Sequence, residues 1–197
     1  MSFEAYAART QEMMKDVLMH PEASGPAIHY YMIRGGTEKR NVTVWESGTV
    51  GGEYIKAYGH YHIGDLDETY WILQGEGIAL LQKMVVEDGV PQKDRIEEFK
   101  VVRVKAGDSV YMPTGYGHLA INTGTTWFVT LDDSPVAGSG DSSSKPGHAD
   151  YEVVKAMRGF AYYVVEKDGA PALVKNPLYT EVRKADFAGL PLITDSK

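Results

Sequence analysis

Gly59-His60-Tyr61-His62-x5-Glu68 is the stretch on which the reading of this chain turns. In an extended strand the side chains at i and i+2 leave the same face, so His60 and His62 can hold one ion between them. Glu68 follows after a short turn and adds a carboxylate. Further on, Gly107-x5-Pro113-x-Gly115-x2-His118-x3-Asn122 has the form of a second strand and turn, with His118 as a third nitrogen donor. Three nitrogens and one oxygen leave positions open on an octahedral ion, which a reactive centre needs. An isolated His-x-His is weak evidence, because strands carry histidines by chance and a lone histidine is usually structural. The two glycine-bounded segments together are what argue for one metal site on His60, His62, Glu68 and His118.

Around these segments the chain reads as short strands separated by turns. Strands are expected near residues 28–33, 42–45, 54–58, 70–73, 77–82, 99–104, 109–112, 119–122 and 127–131. Such spacing, with 21 glycines and 13 tyrosines, suits an all-β sandwich or barrel. Ser2 can cap a helix over 3–19, whose Met13, Met14, Val17 and Leu18 form an apolar stripe. The polar run 86–95 reads as a hairpin loop. The Gly/Ser-rich run 137–146 reads as a flexible loop near the barrel mouth. A short helix over 149–157 and a hairpin, 160–166 with 172–175, turning at Lys167-Asp168-Gly169, complete the pattern. The whole is expected to be a single domain over 1–197, with a helix and loop over 1–26, a β-barrel core over 27–135 and an extension over 136–197.

Composition excludes several classes of function. A net charge of −7 argues against a nucleic-acid partner, whose phosphates call for a basic face. The absence of cysteine removes disulfides, thiolate ligands and a cysteine nucleophile. No apolar run approaches the roughly 20 residues that span a bilayer, and the amino terminus lacks a signal-peptide pattern. A cytoplasmic protein with no membrane partner is the expectation.

The two histidine segments resemble the paired motifs of the cupin superfamily, which implies a jelly-roll barrel holding a metal. A narrower resemblance runs from about Val42 to Tyr179. Asn41-Val42-Thr43-Val44, Lys56-Ala57-Tyr58-Gly59-His60-Tyr61-His62, Glu68-Thr69-Tyr70, Gly147-His148-Ala149-Asp150-Tyr151 and Asn176-Pro177-Leu178-Tyr179 look like the cupin-type glucose-6-phosphate isomerases. That resemblance implies a divalent metal (Fe2+ first, with Mn2+, Ni2+ or Zn2+ as alternatives), a sugar phosphate substrate, and a homodimer. It implies phosphate contacts from Thr43, Gly59 and Tyr70, with Lys56 as an added charge. His148 would assist ring opening and Tyr151 would close over the sugar. Glu68 would be either the base that removes the C2 proton or, in a hydride-shift route, only a ligand. Two departures bear on the substrate: Ala57 stands where relatives often carry threonine, and Asp132-Asp133-Ser134 where they often carry tyrosine. The competing readings are an isomerase of another sugar phosphate, an Fe(II) dioxygenase, and a sugar-binding cupin without turnover.

Overall fold

The computed structural model describes residues 7–34, 41–135 and 149–194. In chain order the early elements are β1 (Ala7–Thr10), α1 (Gln11–Met14), a 3-10 turn (Lys15–Val17), β2 (Ile28–Ile33), β3 (Asn41–Trp45), β4 (Thr49–Val50), β5 (Glu53–Tyr54) and β6 (Tyr61–His62). The barrel continues with β7 (Glu68–Gln74), β8 (Glu76–Glu87), β9 (Val90–Lys105), β10 (Ser109–Met112), β11 (Tyr116–Asn122) and β12 (Phe128–Asp132). The extension holds β13 (Ala149–Asp150), α2 (Glu152–Ala156), β14 (Tyr162–Lys167), β15 (Ala170–Lys175), β16 (Glu181–Asp186) and β17 (Leu192–Ile193).

One wall is a six-stranded sheet in the order β1-β2-β3-β12-β7-β10, and the facing wall is β11-β8-β9-β16. Single bridges from Lys56 to Ile121 and from His60 to His118 attach the 55–62 segment to the free side of β11. This is the expected all-β jelly-roll barrel. Alternation is clean on the six-stranded wall: Asn41, Thr43 and Trp45 are buried while Val42 and Val44 are half-buried, and β12 and the start of β7 follow the same period. Trp45 packs on Phe128 at 5.3 Å between ring centroids and on Tyr30 at 6.1 Å. Each such aromatic gains roughly 1.5–3 kcal/mol from burial.

Ile28–Ile33 and Ser109–Met112 fall where the sequence places them. The helix expected over 3–19 does not form as such. Residues 2–6 lie outside the described residues, and Ala7–Thr10 is a strand paired with β2. Thr10, not Ser2, caps the short helix, its Oγ1 accepting from Met13 N. Ladder bonds to β2 outweigh a helix preference that is only a few tenths of a kcal/mol per residue. The apolar stripe still packs inward through Met14, Val17 and Leu18, with Met13 turned out.

The run 86–95 is no loop. β8 and β9 pair through it and turn in two residues at Asp88 and Gly89, both at positive φ. Asp-Gly is the pair that a type I′ hairpin turn favours; the polar side chains decorate an exposed ribbon end. The expected strand over 54–58 shrinks to Glu53–Tyr54. The expected helix over 149–157 shrinks to α2, with Ala149–Asp150 instead pairing with Tyr61–His62.

The extension is fastened through buried polar groups. Gln82, fully buried, donates to the hydroxyls of Tyr61 and Tyr179 and accepts from Ala161 N. Asn176 donates to the carbonyls of Met157 and Phe160. The unforeseen β16 lies parallel to β9, with Arg95–Glu181, Arg183–Glu97 and Lys184–Glu98 contacts across the pair. The main core cluster runs from Met14 to Leu190. No helix among the described residues is long and apolar enough to cross a membrane.

Candidate metal centre and substrate cleft

The four expected ligands come from both walls. Glu68 begins β7 on the six-stranded sheet, His118 sits in β11 opposite, and His60 and His62 lie on the segment bridged to β11. His60 and His118 exchange backbone hydrogen bonds, 3.3 and 3.0 Å, which sets their rings side by side. Ring centroids are 5.1 Å apart for His60–His62, 4.6 Å for His60–His118 and 4.9 Å for His62–His118. One donor atom from each of the four residues lies within 4.8 Å of the others, a group that could hold a metal ion.

Two glycines make this approach possible. Gly59, at φ 81°, takes a conformation that side chains rarely adopt, and a Cβ there would press on Phe160 and Leu119. A Cβ on Gly117 would stand 2.6 Å from the Tyr61 ring, on the strand that carries His118.

Donor chemistry fits a metal. His62 Nδ1 donates to the Leu66 carbonyl at 3.0 Å, which leaves the lone pair on Nε2, 3.4 Å from Glu68 Oε2. His118 Nε2 lies 2.8 Å from the same oxygen. Yet neither ring nitrogen of His118, nor Glu68 Oε2, forms a hydrogen bond of acceptable geometry, although all are buried. Buried polar atoms are almost always satisfied; a group packed this closely without hydrogen bonds is one arranged around a ligand. Burial would raise the Glu68 carboxyl, but the imidazoles of His118 and His62 outweigh it and hold the group well below the usual carboxylate range. For His62 burial lowers the pKa, and Glu68 with the Leu66 carbonyl brings about a net rise.

Beside the ligands a cleft is lined by Thr43, Gly59, Tyr70 and Tyr151, which were expected at the substrate, and by Tyr30, Arg34, Asp132 and Ser134, which were not. Tyr151 stands with its ring 5.4 Å from that of His60 and edge-on to Tyr58 at 5.6 Å. Burial raises its hydroxyl to about 12 and lifts that of Tyr70 well above the ordinary value, so both are donors at neutral pH. Lys56 does not line the cleft. Its ammonium is buried on the other side of its own segment, donating to Glu53 Oε1 at 2.5 Å and to the Val17 carbonyl at 2.7 Å. His148 and the run 137–146 lie outside the described residues.

Asp132 is buried, and its Oδ1 accepts from Asn41 Nδ2 at 2.7 Å, Ser134 Oγ at 2.5 Å and Ser134 N at 3.2 Å. Burial first, then the charge of Glu68, raise its pKa to about 7, against the lowering effect of Arg34. Sequence reasoning passed over Arg34, although the inward alternation Tyr30, Met32, Arg34 pointed to it.

A jelly-roll barrel with three buried or half-buried histidines and a glutamate converging beside a polar cleft defines a cupin with a site able to hold a metal. The comparisons narrow this class. The family model described as "Glucose-6-phosphate isomerase (GPI)" matches residues 4–179, and the chain belongs to that family. It is 34% identical over 136 residues to the glucose-6-phosphate isomerase of Thermococcus litoralis, covering 68% of this chain and 60% of that one. It is 33% identical over 136 residues to that of Pyrococcus abyssi, covering 68% and 61%. The chain thus spans about three-fifths of the length of the curated relatives it matches. Among solved structures, a predicted oxalate decarboxylase from Thermotoga maritima overlaps 67% of this chain and 96% of its own at 19% identity, with a TM-score of 0.38. An overlap that low carries no argument about chemistry.

Proposed function

We propose that this chain is a metal-dependent aldose–ketose isomerase interconverting glucose 6-phosphate and fructose 6-phosphate. The observation that carries the reading is the convergence of His60, His62, Glu68 and His118, in a chain of this family, on the edge of a cleft lined by hydroxyls and one guanidinium. A divalent ion, Fe2+ in the first place and Mn2+, Ni2+ or Zn2+ otherwise, supplies Lewis-acid stabilisation of the charge that builds on the C1 and C2 oxygens.

The residues divide the remaining work. Thr43 and Tyr70 donate hydroxyls to the phosphate, and Gly59 lets the main chain come close. Lys56 is left out, since its ammonium is committed to Glu53 and Val17. Tyr151 closes over the sugar, and His148 assists ring opening. Glu68 either takes the C2 proton and returns it to C1 through a cis-enediol, or stays a ligand while hydride passes from C2 to C1. Its depressed pKa keeps it ionised at neutral pH but makes it a weak base, which favours the ligand role.

An oxygen-activating cupin calls for an apolar pocket around an aromatic or thiol substrate. Thr43, Tyr70 and Ser134 in the cleft wall offer hydroxyls and Arg34 a positive charge, which favour a polar, anionic substrate instead. The outer face of the six-stranded sheet supports a homodimer. Tyr31, Val44 and Leu131 are only half-buried there, and Leu73, Tyr111 and Trp127 are exposed. Light scattering that returned a monomer would remove that part of the reading. The continuous main core supports one domain. A cytoplasmic location goes with the substrate, because charged hexose phosphates do not cross an apolar bilayer unaided.

The test is conversion of fructose 6-phosphate to glucose 6-phosphate by the purified protein, after EDTA treatment and after each of the four ions is restored. Turnover should vanish with chelation and return with at least one ion. Tight metal binding with no turnover under any of them would overturn the reading.

A further inference from the structure

Resting on the isomerase reading, we propose that Arg34 is the cation that binds the substrate's phosphate, with Asp132 positioning its guanidinium. Arg34 follows directly on β2, whose last residue, Ile33, is paired with Val42. It therefore stands alongside Asn41, and Asn41 is paired in turn with Asp132, and Asp132 with Tyr70. Arg34, Asn41, Asp132 and Tyr70 form one row across the inner face of the six-stranded wall. Thr43, paired with Met32 and Thr130, sits in the next row. Arg34 thus shares a row with Tyr70, three strands away, and stands next to the row of Thr43, and all three line the same cleft.

The guanidinium is held there without being used up. Its Nη1 is buried and makes no hydrogen bond among the described residues. Asp132 Oδ2 is 3.8 Å away, beyond hydrogen-bond length, while Oδ1 is occupied by Asn41 and Ser134. A buried cationic donor left open in a cleft is costly unless a ligand completes it. Guanidinium matches a phosphate in two parallel hydrogen bonds, which an ammonium cannot reproduce.

The arrangement also gives a physical account of both departures seen in the sequence. Ala57 lines the cleft but brings no hydroxyl, and Arg34 supplies a stronger donor from the opposite strand. Asp132 belongs to the Asp132-Asp133-Ser134 region, where the resemblance leads one to expect a tyrosine, and its carboxylate, anchored by Asn41 and Ser134, gives the guanidinium a fixed neighbour. Lys56, the cation that the sequence suggested for this task, is committed elsewhere.

The experiment measures binding apart from turnover. Sorbitol 6-phosphate carries the phosphate but no carbonyl, so it cannot be isomerised; sorbitol is the control without the phosphate. Calorimetric titration of the metal-loaded protein should show Arg34→Met weakening sorbitol 6-phosphate by at least tenfold, with sorbitol unaffected. In the isomerase assay the same variant should raise KM for fructose 6-phosphate by a similar factor, with kcat within about threefold, the signature of lost uniform binding. Arg34→Lys, which keeps the charge and stem, should lose severalfold, and it decides the matter if Arg34→Met does not fold. Asp132→Asn should raise KM severalfold in the wild-type background and have little effect in the Arg34→Met background, because it acts only through the arginine. Undiminished sorbitol 6-phosphate affinity in both arginine variants would overturn the proposal and leave Arg34 as a mere counter-charge to Asp132. Absence of turnover in the wild type with arginine-dependent binding of sorbitol 6-phosphate would overturn the isomerase reading alone.

Discussion

Two buried groups of polar side chains draw on one stretch of chain, residues 53–68, the second completed by His118 from β11, and they are built on opposite principles. In the first, Lys56 donates to Glu53 Oε1 and to the Val17 carbonyl, while Glu53 Oε2 accepts from Met19 N. The contacts to the Val17 carbonyl and from Met19 N tie the 15–19 segment to the barrel. In the second, His118 and Glu68 approach to 2.8 Å yet leave both imidazole nitrogens and Oε2 without hydrogen bonds. Closed hydrogen bonding marks a structural staple. Open hydrogen bonding among close-packed donors marks a place kept for a ligand, and Arg34 extends that openness into the cleft.

The sharpest way to break the contrast is at the open group. His118→Ala should abolish bound metal and reduce turnover by about 10³-fold or more, while lowering stability of the metal-free chain little. Metal analysis, turnover and urea unfolding on one preparation check this. Glu68→Gln sharpens the point: retained metal with lost turnover assigns Glu68 as a base, whereas loss of both assigns it as a ligand. A metal-free His118→Ala chain that is several kcal/mol less stable would mean that the histidines serve folding after all.

The closed group should behave in the reverse way. Lys56→Met strands the buried Glu53 carboxylate, and breaking a buried pair from one side costs about 3–5 kcal/mol. KM for fructose 6-phosphate should not change. Lys56→Met combined with Glu53→Leu should regain most of the stability, because the uncompensated charge is gone. A large rise in KM for Lys56→Met, in a variant that remains folded, would reinstate Lys56 at the phosphate.

A smaller effect involves His29, fully buried and 2.5 Å from Gln11 Oε1. Burial, with Lys56 as a second cause, lowers its pKa to about 4 from 6.5. Between those values the unfolded chain binds a proton that the folded chain does not, so stability is full above about pH 6.5 and falls toward pH 4. By pH 5 the loss is about 2 kcal/mol. His29→Gln lacks it, so the stability gap between wild type and variant should narrow by that amount from pH 7 to pH 5 in urea unfolding. A gap independent of pH would show that His29 takes up its proton without unfolding.

How much of this was legible differs between regions. Thr43 and Trp45 share a face of the strand expected over 42–45 because a strand's period is two whatever its partner, and the structure adds Asn41 to that face. The β8–β9 ribbon was misread because its tip is polar on both faces, although Asp88-Gly89 held the correct turn signal. Ala7–Thr10 looked helical because local preference is all a lone segment offers, and only the ladder with β2 reverses it.

By itself the sequence determined the barrel class and the four candidate ligands, since both depend on local spacing: alternation along strands, glycine at tight turns, histidines at i and i+2. The tertiary structure alone decided what each charge is for. Lys56 and Arg34 are both cations on inward-leaning segments; Glu53, three residues before Lys56, is a local partner in sequence, but local sequence does not show that the pair closes and is completed by the distant Val17 carbonyl. Glu53 and the Val17 carbonyl lie close enough to satisfy Lys56, whereas Arg34, among the described residues, has a carboxylate 3.8 Å away and a cleft in front of it. Whether a buried charge is satisfied depends on atoms brought from distant parts of the chain, and that pairing exists only once the walls have closed.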